Sequence, residues 1–248
     1  MNQDNMESVE VSVIFPVYNE AEKLESAVEK TISVLREAAR SYEIIIAEDG
    51  STDGSDEIAS MLAVKYPFLR HIHRDRRLGR GQALKNAFKR SRGEILVYMD
   101  VDLSTDLNHL ETLLKYIRDG YDFVTGSRML RGSKVERSFS RMLASKWYNF
   151  LVRVLLGSKV RDHQCGFKAF KRKPLLQMLD EVSATHWFWD TEIIVRYFLK
   201  RYKIKEFPVK WRSRGGTKVN FIGDSLEMGI QIIKLWWNLK IKGIFRRN

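Results

Sequence analysis

Two aspartates one residue apart are the side chains in this sequence best suited to holding a metal ion. Asp100 and Asp102 follow the apolar, β-favouring run 95–99, which predicts a buried strand. Carboxylates at the carboxyl end of a strand lie where open α/β sheets bind their ligands. Oxygen ligands of this kind suit Mg²⁺ or Mn²⁺, which complete their shells with water and substrate phosphates. For an isolated Asp-x-Asp pair, capping a helix or forming a turn is the commoner role, so the metal interpretation depends on the rest of the chain.

A second acidic strand end could contact a nucleoside. The predicted strand 42–47 is followed by Glu48, Asp49 and a turn of glycine and hydroxyl residues. Such a turn can accept hydrogen bonds from a base or ribose, and it can also cap the predicted helix 55–65. Capping explains the hydroxyl residues but not two adjacent acids, which favours a nucleotide contact for Asp49.

A basic loop with two glycines could approach an anion. Gly79 and Gly81 flank Arg80 at the start of a predicted helix, where a backbone without side chains allows close contact with a phosphate. A solvated basic loop is the other interpretation of the same residues.

The order of the predicted elements would bring these groups together. Strand-like and helix-like patterns alternate along the first hundred residues, which predicts an α/β fold with a mostly parallel sheet and helices on both faces. The predicted intervals are 11–15, 22–40, 42–47, 55–65, 69–73, 82–90 and 95–99. In the second half we expect a basic loop that ends at Ser138, a helix over 139–156, a loop over 162–167 and a last strand over 203–209. Because parallel strands end at one edge of a sheet, Asp49, Asp100 and Asp102 are expected on the same edge.

Composition narrows the class of protein. The 248 residues carry a formal charge of +12, which implies an anionic partner: nucleic acid, an acidic membrane or a phosphorylated substrate. Cys165 is the only cysteine, so there is no disulfide framework and no cysteine-based zinc site, and we expect it to be a packed small residue. No apolar run approaches the roughly 18 residues needed to span a bilayer. We expect a polar N-terminal segment 1–10, a main domain 11–222 and a separate C-terminal segment 223–248.

The C-terminal segment has the pattern of an amphipathic helix. Apolar residues recur at helical spacing, with tryptophans and basic residues among them. The apolar positions are Leu226, Ile230, Ile233, Trp237, Ile241 and Ile244, and the basic ones are Lys234, Lys240, Lys242, Arg246 and Arg247. This pattern fits a helix lying in the plane of an anionic membrane, although a helix that packs on the core would share part of it. We expect a peripheral protein on the cytoplasmic face of a membrane.

Three motifs resemble the inverting glycosyltransferases of family 2, which have the Rossmann-like GT-A fold. They are the opening run 11–20, the turn 48–51 and the pair Asp100 and Asp102. The resemblance implies a nucleotide-sugar donor whose diphosphate binds Mg²⁺ or Mn²⁺, held by Asp102 and Asp100. It also implies contacts with the nucleoside from Pro16, Tyr18, Glu20 and Asp49.

Motifs in the second half narrow the resemblance. Gly-Ser-Arg at 126–128, Arg141 and Ser145 one helical turn apart, and the run 162–167 resemble the polyprenyl-phosphate (dolichyl-phosphate) glucose and mannose synthases of that family. The resemblance implies that Arg128, Arg141 and Ser145 bind the acceptor phosphate. Charge-assisted hydrogen bonds would suit that role, whereas an ordinary helix with a solvated face is the alternative.

A basic run near the C-terminal segment resembles the closing loop of these synthases. The resemblance implies that Arg214 and Lys218 close on the diphosphate, where two cations would stabilise the leaving group. Ser104 stands where mannose synthases often have a longer amide, so the resemblance favours the glucose branch and a UDP-sugar donor.

The leading hypothesis is an inverting transferase that moves a sugar from a nucleotide sugar, with UDP-glucose or UDP-N-acetylhexosamine favoured, to polyprenyl phosphate. A GDP-mannose-dependent enzyme is one alternative. A family 2 transferase acting on a saccharide or lipid hydroxyl is another, and it would need a base such as Asp190, for which we favour a structural role. A basic nucleic-acid-binding protein is the non-enzyme alternative, which the lack of aromatics along a basic stripe disfavours. We expect no nucleic-acid partner and no obligatory protein partner.

Overall fold

A central seven-stranded sheet organises the part of the chain that the computed structural model describes, residues 8–213 and 221–241. The strands are β1 Val11–Val17, β2 Tyr42–Glu48, β3 Leu69–Ile72, β4 Ile95–Met99, β5 Phe123–Ser127, β6 Lys134–Glu136, β7 Phe167–Lys171, β8 Ile204–Pro208 and β9 Lys210–Arg212. The central sheet has the order β3-β2-β1-β4-β7-β5-β8, and β6 pairs with β9 in a small second sheet. The predicted α/β architecture with a mostly parallel sheet is confirmed, since only β7 runs antiparallel to its neighbours in the central sheet.

Eight helices accompany the strands in the described residues. They are α1 Ala21–Ala38, α2 Ser55–Lys65, α3 Arg80–Arg90, α4 His109–Arg118, α5 Phe139–Leu156, α6 Arg172–Leu179, α7 Trp189–Leu199 and α8 Phe221–Ile241. Apolar side chains from α1, α2 and α4 cover one face of the sheet, and those from α3, α6 and α7 cover the other. The prediction of helices on both faces is therefore confirmed, and each strand of the sheet centre is buried on both sides.

Strand β7 is the main departure from the sequence-based expectation, which treated Phe167 as part of a loop. β7 lies between β4 and β5 and pairs antiparallel with both. Lys168 in its middle argues against a buried strand, yet this side chain is fully buried and forms an ion pair with Asp190, with 2.9 Å between Nζ and Oδ1. A buried cation is tolerated when it is paired, so the charge pattern hid the strand.

Helices α5 and α8 form a separate layer beside the sheet. Val152 and Leu156 of α5, Val195 of α7, and Ile232 and Leu235 of α8 belong to one buried cluster. The opposite sides of α5 and α8 are exposed and apolar. The C-terminal helix therefore packs against the domain along one side, and the core-packing interpretation holds for that side. No helix in the described ranges is long and apolar enough to cross a bilayer.

Candidate active site

The carboxyl end of β4 carries the two predicted metal ligands. Immediately after β4, the chain makes a tight turn in which Leu103 N donates to Asp100 O at 3.1 Å and Leu103 has a φ of +46°. Asp102 accepts hydrogen bonds from the backbone N and the Oγ of Ser104, at 2.9 and 2.7 Å. Asp102 thus forms a turn, which the sequence offered as the alternative to metal binding. Both aspartates also line a pocket with Trp211, so the same carboxylates are available to a ligand.

Arg80 joins Asp100 to a buried charge network. Its guanidinium lies 2.5 Å from Asp100 Oδ1 and 2.5 Å from Asp190 Oδ2. Asp190 also accepts a hydrogen bond from the Tyr98 hydroxyl and pairs with Lys168. Burial raises the pKa of Asp190 to about 6 although the charge of Arg80 opposes this shift. Burial lowers the pKa of Lys168 to about 7. The network fixes Arg80 at the edge of the aspartate pocket.

Gly166 is required by the position of Asp100. It directly precedes β7, and its carbonyl accepts a hydrogen bond from Asp100 N at 3.1 Å. A Cβ at this position would overlap the Asp100 carboxylate. The absence of a side chain at Gly166 therefore leaves the space that the carboxylate occupies.

The aspartate pair fits a divalent cation. Burial raises the pKa of Asp102, and the negative charge of Asp100 raises it further. Two carboxylates in a pocket with further oxygen atoms from Ser104 and Thr105 form a hard donor set suited to Mg²⁺ or Mn²⁺. A cation bound by Asp100 would compete with Arg80 for the same carboxylate.

Asp49 orders the loop on the nucleoside side of the predicted site. Its two carboxylate oxygens accept hydrogen bonds from the backbone N–H groups of Leu78 and Gly79, each at 2.8 Å. The ring of Tyr18 lies under the guanidinium of Arg77, with 3.9 Å between the ring centroid and Cζ. Residues predicted to bind the nucleoside are therefore joined to the basic loop.

Pro16 and Glu20 occupy two other positions near this edge. Pro16 belongs to β1 and is in register with Ala47 of β2. Glu20 immediately precedes α1 and forms an ion pair with Lys23 at 3.0 Å. Their predicted contacts with the nucleoside stay predictions.

The two glycines of the basic loop are explained first by packing. Gly79 has a φ of +101°, and a Cβ there would collide with Thr185 O and the His186 ring. A Cβ on Gly81 would collide with the Trp189 side chain. Their contact with an anion remains a prediction, because the close approach that the structure requires is to protein atoms.

Arg128 is held by a buried aspartate. Its backbone N and its Nε donate to Asp162 Oδ2 at 2.9 and 2.7 Å, and its Nη2 donates to Oδ1 at 2.8 Å. Burial opposes the charge of Asp162, but the Arg128 guanidinium outweighs it and holds the pKa of this carboxyl at about 2. Arg128 is thus fixed in place directly after β5.

Arg137 is a basic residue of this region that sequence reasoning missed. Its Nη1 donates to Ser145 Oγ at 3.0 Å. Burial, together with the neighbouring charges of Arg128 and Arg141, lowers the pKa of Arg137 to about 10, although the charge of Asp162 opposes this shift. The repeat Arg137, Arg141, Ser145, each four residues apart, was the available signal. We call Arg128, Arg137 and Arg141 the arginine cluster.

Trp211 connects the arginine cluster to the aspartate pocket. It lines the pocket. The centroid of its ring lies 5.6 Å from Cζ of Arg128 and 5.5 Å from Cζ of Arg137. The structure therefore brings together Asp100, Asp102, Arg128, Arg141 and Ser145 from the predicted site. The predicted Arg214 and Lys218 lie outside the described residues.

Cys165 is fully buried, and burial raises the pKa of its thiol to about 11. A buried, protonated thiol is unreactive, which agrees with the expected packing role.

A mostly parallel sheet with an Asp-x-Asp pair after its central strand is the architecture of GT-A glycosyltransferases. The model of the family described as "Glycosyl transferase family 2" matches residues 12–179. The chain belongs to this family. The resemblance noted in the sequence is confirmed.

Curated relatives narrow the comparison. The chain is 47% identical over 237 residues to the glycosyltransferase AglD of Haloferax volcanii, covering 94% of this chain but only 38% of AglD. It is 28% identical to the dolichyl-phosphate beta-glucosyltransferase ALG5C of Trichomonas vaginalis, over 92% of this chain and 71% of that protein.

Solved structures agree on the fold. The glucosyl-3-phosphoglycerate synthase of Mycobacterium tuberculosis, solved with Mn²⁺, UDP-glucose and phosphoglyceric acid, superposes with a TM-score of 0.70 at 19% identity. The match covers 92% of this chain and 79% of that one.

Proposed function

We propose that this protein is an inverting, metal-dependent hexosyltransferase that moves glucose from UDP-glucose to polyprenyl phosphate. The observation that carries this proposal is the position of Trp211, which lines the aspartate pocket and lies beside Arg128 and Arg137. This position supports a donor diphosphate at Asp100 and Asp102 and an acceptor phosphate at the arginine cluster, with Trp211 next to both.

The acceptor's chemistry makes a strong general base unnecessary. A phosphate monoester has a second pKa near 6, so one of its oxygens is largely deprotonated at neutral pH. That oxygen bonds to the anomeric carbon while the bond from the anomeric carbon to the nucleoside diphosphate breaks. Attack from the face opposite the leaving group inverts the configuration, and no proton has to move.

Side chains of this protein would then position the reactants and compensate their charge. The arginine cluster and Ser145 would bind the incoming phosphate, and Arg214 with Lys218 would neutralise the outgoing diphosphate. Asp100 and Asp102 would hold Mg²⁺ or Mn²⁺, which supplies positive charge to the leaving group when bound. Pro16, Tyr18, Glu20, Asp49, Gly79 and Gly81 would surround the nucleoside and diphosphate.

The environment of Asp190 supports a phosphate acceptor over a hydroxyl acceptor. A hydroxyl needs a base, and Asp190 was the candidate. This carboxylate is almost fully buried and contacts Arg80, Lys168 and Tyr98, which occupy it from several sides. Asp190 is better suited to positioning Arg80 than to accepting a proton from a substrate.

The assignment of UDP-glucose as the donor rests on the similarity of this chain to known proteins. Several relatives are named dolichyl-phosphate beta-glucosyltransferases, and structural neighbours are solved with UDP-glucose and Mn²⁺. The serine at position 104, in contact with Asp102, also favours the glucose branch.

An exposed apolar surface supports a membrane partner. Large apolar side chains on α5 and α8 are exposed on the sides that do not pack against the domain: Phe139, Leu143, Trp147, Phe150, Leu151 and Val154 on α5, and Ile230, Ile233, Trp237 and Ile241 on α8. Exposed lysines and arginines, among them Lys146, Arg153 and Lys234, lie on the same helices. This combination suits the interface of an anionic membrane, where a polyprenyl phosphate presents its head group. We place the protein peripherally on the cytoplasmic face, with residues 11–222 as the catalytic domain and the C-terminal segment 223–248, which includes most of α8, contributing to attachment.

The direct test is transfer into lipid. Purified protein is incubated with polyprenyl phosphate and labelled UDP-glucose, UDP-N-acetylglucosamine or GDP-mannose, with Mn²⁺, Mg²⁺ or EDTA, and the lipid phase is counted. We expect label from UDP-glucose only, lost with EDTA and reduced at least a hundredfold in Arg141→Ala. The control is Lys173→Ala, which removes an exposed cation from α6. Label from GDP-mannose instead would overturn the donor, and transfer only to a lipid or saccharide hydroxyl would overturn the acceptor.

A further inference from the structure

A second group of metal-ligating side chains lies away from the aspartate pocket, at the ends of β2 and β3. It consists of Glu48, His71 and His73, whose candidate ligand atoms all lie within 4.8 Å of one another. We propose that this group, the His-Glu cluster, is a binding site for a divalent transition-metal ion, with Zn²⁺ as the preferred occupant.

Strand register explains why the three side chains converge. His71 and His73 are two residues apart, and alternate residues of an extended chain face the same side. His71 is in register with Ile46 of the neighbouring β2, so Glu48, two residues beyond Ile46, lies on the same side beside His73. The backbone thus presents two imidazoles and one carboxylate to a common point.

The unused nitrogen of His71 points to a missing ligand. Its Nδ1 is 3.1 Å from Ser60 Oγ. Its Nε2 is buried, and no atom of the described chain is within hydrogen-bond distance of it. With Nδ1 protonated and donating to the serine, Nε2 carries a free lone pair, the form of imidazole that binds a metal. A buried polar atom without a partner is costly, and a metal bond would remove that cost.

His73 and Glu48 provide the other two ligand atoms. Nδ1 of His73 lies 2.7 Å from Oε2 of Glu48, and Nε2 of His73 lies 3.3 Å from Asp75 Oδ1. Glu48 is fully buried and its other oxygen accepts from Ser51 N. In metal sites a ligating histidine commonly donates its second N–H to a carboxylate or hydroxyl. Asp75 and Ser60 stand in that relation to the two histidines.

The donor set selects the class of metal. Two imidazole nitrogens and one carboxylate oxygen favour Zn²⁺ and similar transition metals, whereas the oxygen-only pair Asp100 and Asp102 favours Mg²⁺ or Mn²⁺. Three protein ligands also leave a position for water. The two sites would therefore differ in metal preference within one protein.

A metal in the His-Glu cluster would tie together two loops of the proposed donor site. Glu48 adjoins Asp49, whose carboxylate holds the loop at Leu78 and Gly79. His73 begins that same loop. An ion bound to both Glu48 and His73 would fix the distance between the two loops. The metal would therefore stabilise these loops without taking part in the reaction. The metal site itself does not depend on the proposed function.

The test uses Co²⁺ as a spectroscopic substitute for Zn²⁺. EDTA-treated, dialysed protein with all 248 residues is titrated with CoCl₂, the visible d–d bands are followed, and ZnCl₂ is then added to displace Co²⁺. We expect the intense bands of four- or five-coordinate Co²⁺ to saturate at one equivalent and to be bleached by Zn²⁺. Co²⁺ held by the oxygen ligands Asp100 and Asp102 would be six-coordinate and give only weak bands. Affinity should fall more than tenfold in His71→Ala, His73→Ala and Glu48→Gln. It should be unchanged in His186→Ala, the control that removes an exposed imidazole outside the cluster.

Asp75→Asn keeps the proposal testable if a ligand variant fails to fold. The Asp75 side chain is 98% exposed, so its replacement leaves the core intact. Removing its charge should still weaken Co²⁺ binding by about tenfold, the usual effect of losing a residue that orients a ligand. Absence of stoichiometric Co²⁺ or Zn²⁺ binding in the wild type would overturn the proposal. Co²⁺ binding that persists unchanged in the folded single variants His71→Ala and His73→Ala would also overturn it.

Discussion

Arg80 and Asp100 form an ion pair, with 2.5 Å between Nη2 and Oδ1, at the edge of the pocket proposed to bind the donor's metal. One carboxylate thus has two prospective cationic partners. Arg80 also contacts the buried Asp190, which fixes its side chain. Breaking the ion pair with Asp100 therefore costs free energy.

This competition leads to a prediction for metal affinity. Arg80→Gln removes the competing charge, so Mn²⁺ should bind the donor-free protein about tenfold more tightly, as the loss of one neighbouring charge implies. Its control is Arg76→Gln, which removes the same charge from an exposed position in the preceding loop. Titration followed by electron paramagnetic resonance measures free Mn²⁺. Equal affinity in the two variants would show that Arg80 does not compete.

Asp102→Asn should separate catalysis from folding. The asparagine carbonyl oxygen can still accept the hydrogen bond from Ser104 N, so the turn is retained. A neutral amide is a poor ligand for a divalent cation, and we expect transfer to fall at least a hundredfold. The thermal unfolding midpoint should change by only a few degrees. A large loss of stability would mean that the turn, rather than the charge, is what Asp102 supplies.

Gly166→Ala should disturb the aspartate pocket through Asp100. The added methyl group would occupy the position of the Asp100 carboxylate and force that side chain away. We expect weaker Mn²⁺ binding and reduced transfer. Gly229→Ala is the comparison: it lies in α8, has open space at its Cβ, and should stabilise the helix by up to about 1 kcal/mol. Wild-type Mn²⁺ affinity in Gly166→Ala would contradict the steric argument.

The pair Arg128 and Asp162 should make stability dependent on acid. The pKa of Asp162 is about 2 when folded, against an ordinary value of 3.8, so its stabilising effect is complete above about pH 4 and is lost as pH falls towards 2. That difference corresponds to about 2 kcal/mol. Asp162→Asn leaves a buried guanidinium unneutralised and should cost about 3 to 5 kcal/mol at neutral pH.

Urea unfolding of wild type and Asp162→Asn across this pH range measures the effect. The free-energy difference between the two proteins should shrink below about pH 4. A difference that stays constant down to the lowest pH at which both proteins fold would mean that folding does not lower the pKa of Asp162.

Trp147 should contribute to membrane binding. It is 60% exposed on the apolar side of α5, and Trp147→Glu places a negative charge where an anionic bilayer would lie. Binding to vesicles containing phosphatidylserine should fall about tenfold, measured by co-sedimentation. Val64→Glu, at an 88% exposed apolar position on α2, serves as the matched control and should bind as the wild type does. Equal losses in both variants would indicate a general charge effect instead of a binding surface.

The sequence predicted regular elements well where a single pattern governed them. The bounds of α2 and α5 agree with the structure, while α1 is slightly shorter than expected and α3 begins at Arg80 instead of Gln82. The expected final strand 203–209 is divided into β8 and β9. β9 pairs with β6, which lies in a segment expected to be a loop. Short strands of three residues have too few positions to show a period.

The candidate site was predictable as a set of strand ends but not as a network. Asp100 and Asp102 were placed by the strand that precedes them, whereas their link to Asp190 through Arg80 joins residues 110 positions apart. A cation in the first turn of a helix is unfavourable to the helix dipole, and this was the available sign that Arg80 has acidic partners. The bond between Arg128 and Asp162 had no comparable local sign.

The antiparallel insertion of β7 has a consequence for synthesis of the chain. β4 is paired with β1 on one side, and its other side is completed only by β7, about 70 residues later. While a ribosome makes the intervening segment, the central strand of the nascent sheet presents an open, apolar edge of the kind that joins other chains. The vulnerable interval ends when Phe167–Lys171 emerges, so synthesis rate and chaperone access across that interval should govern the yield of soluble protein.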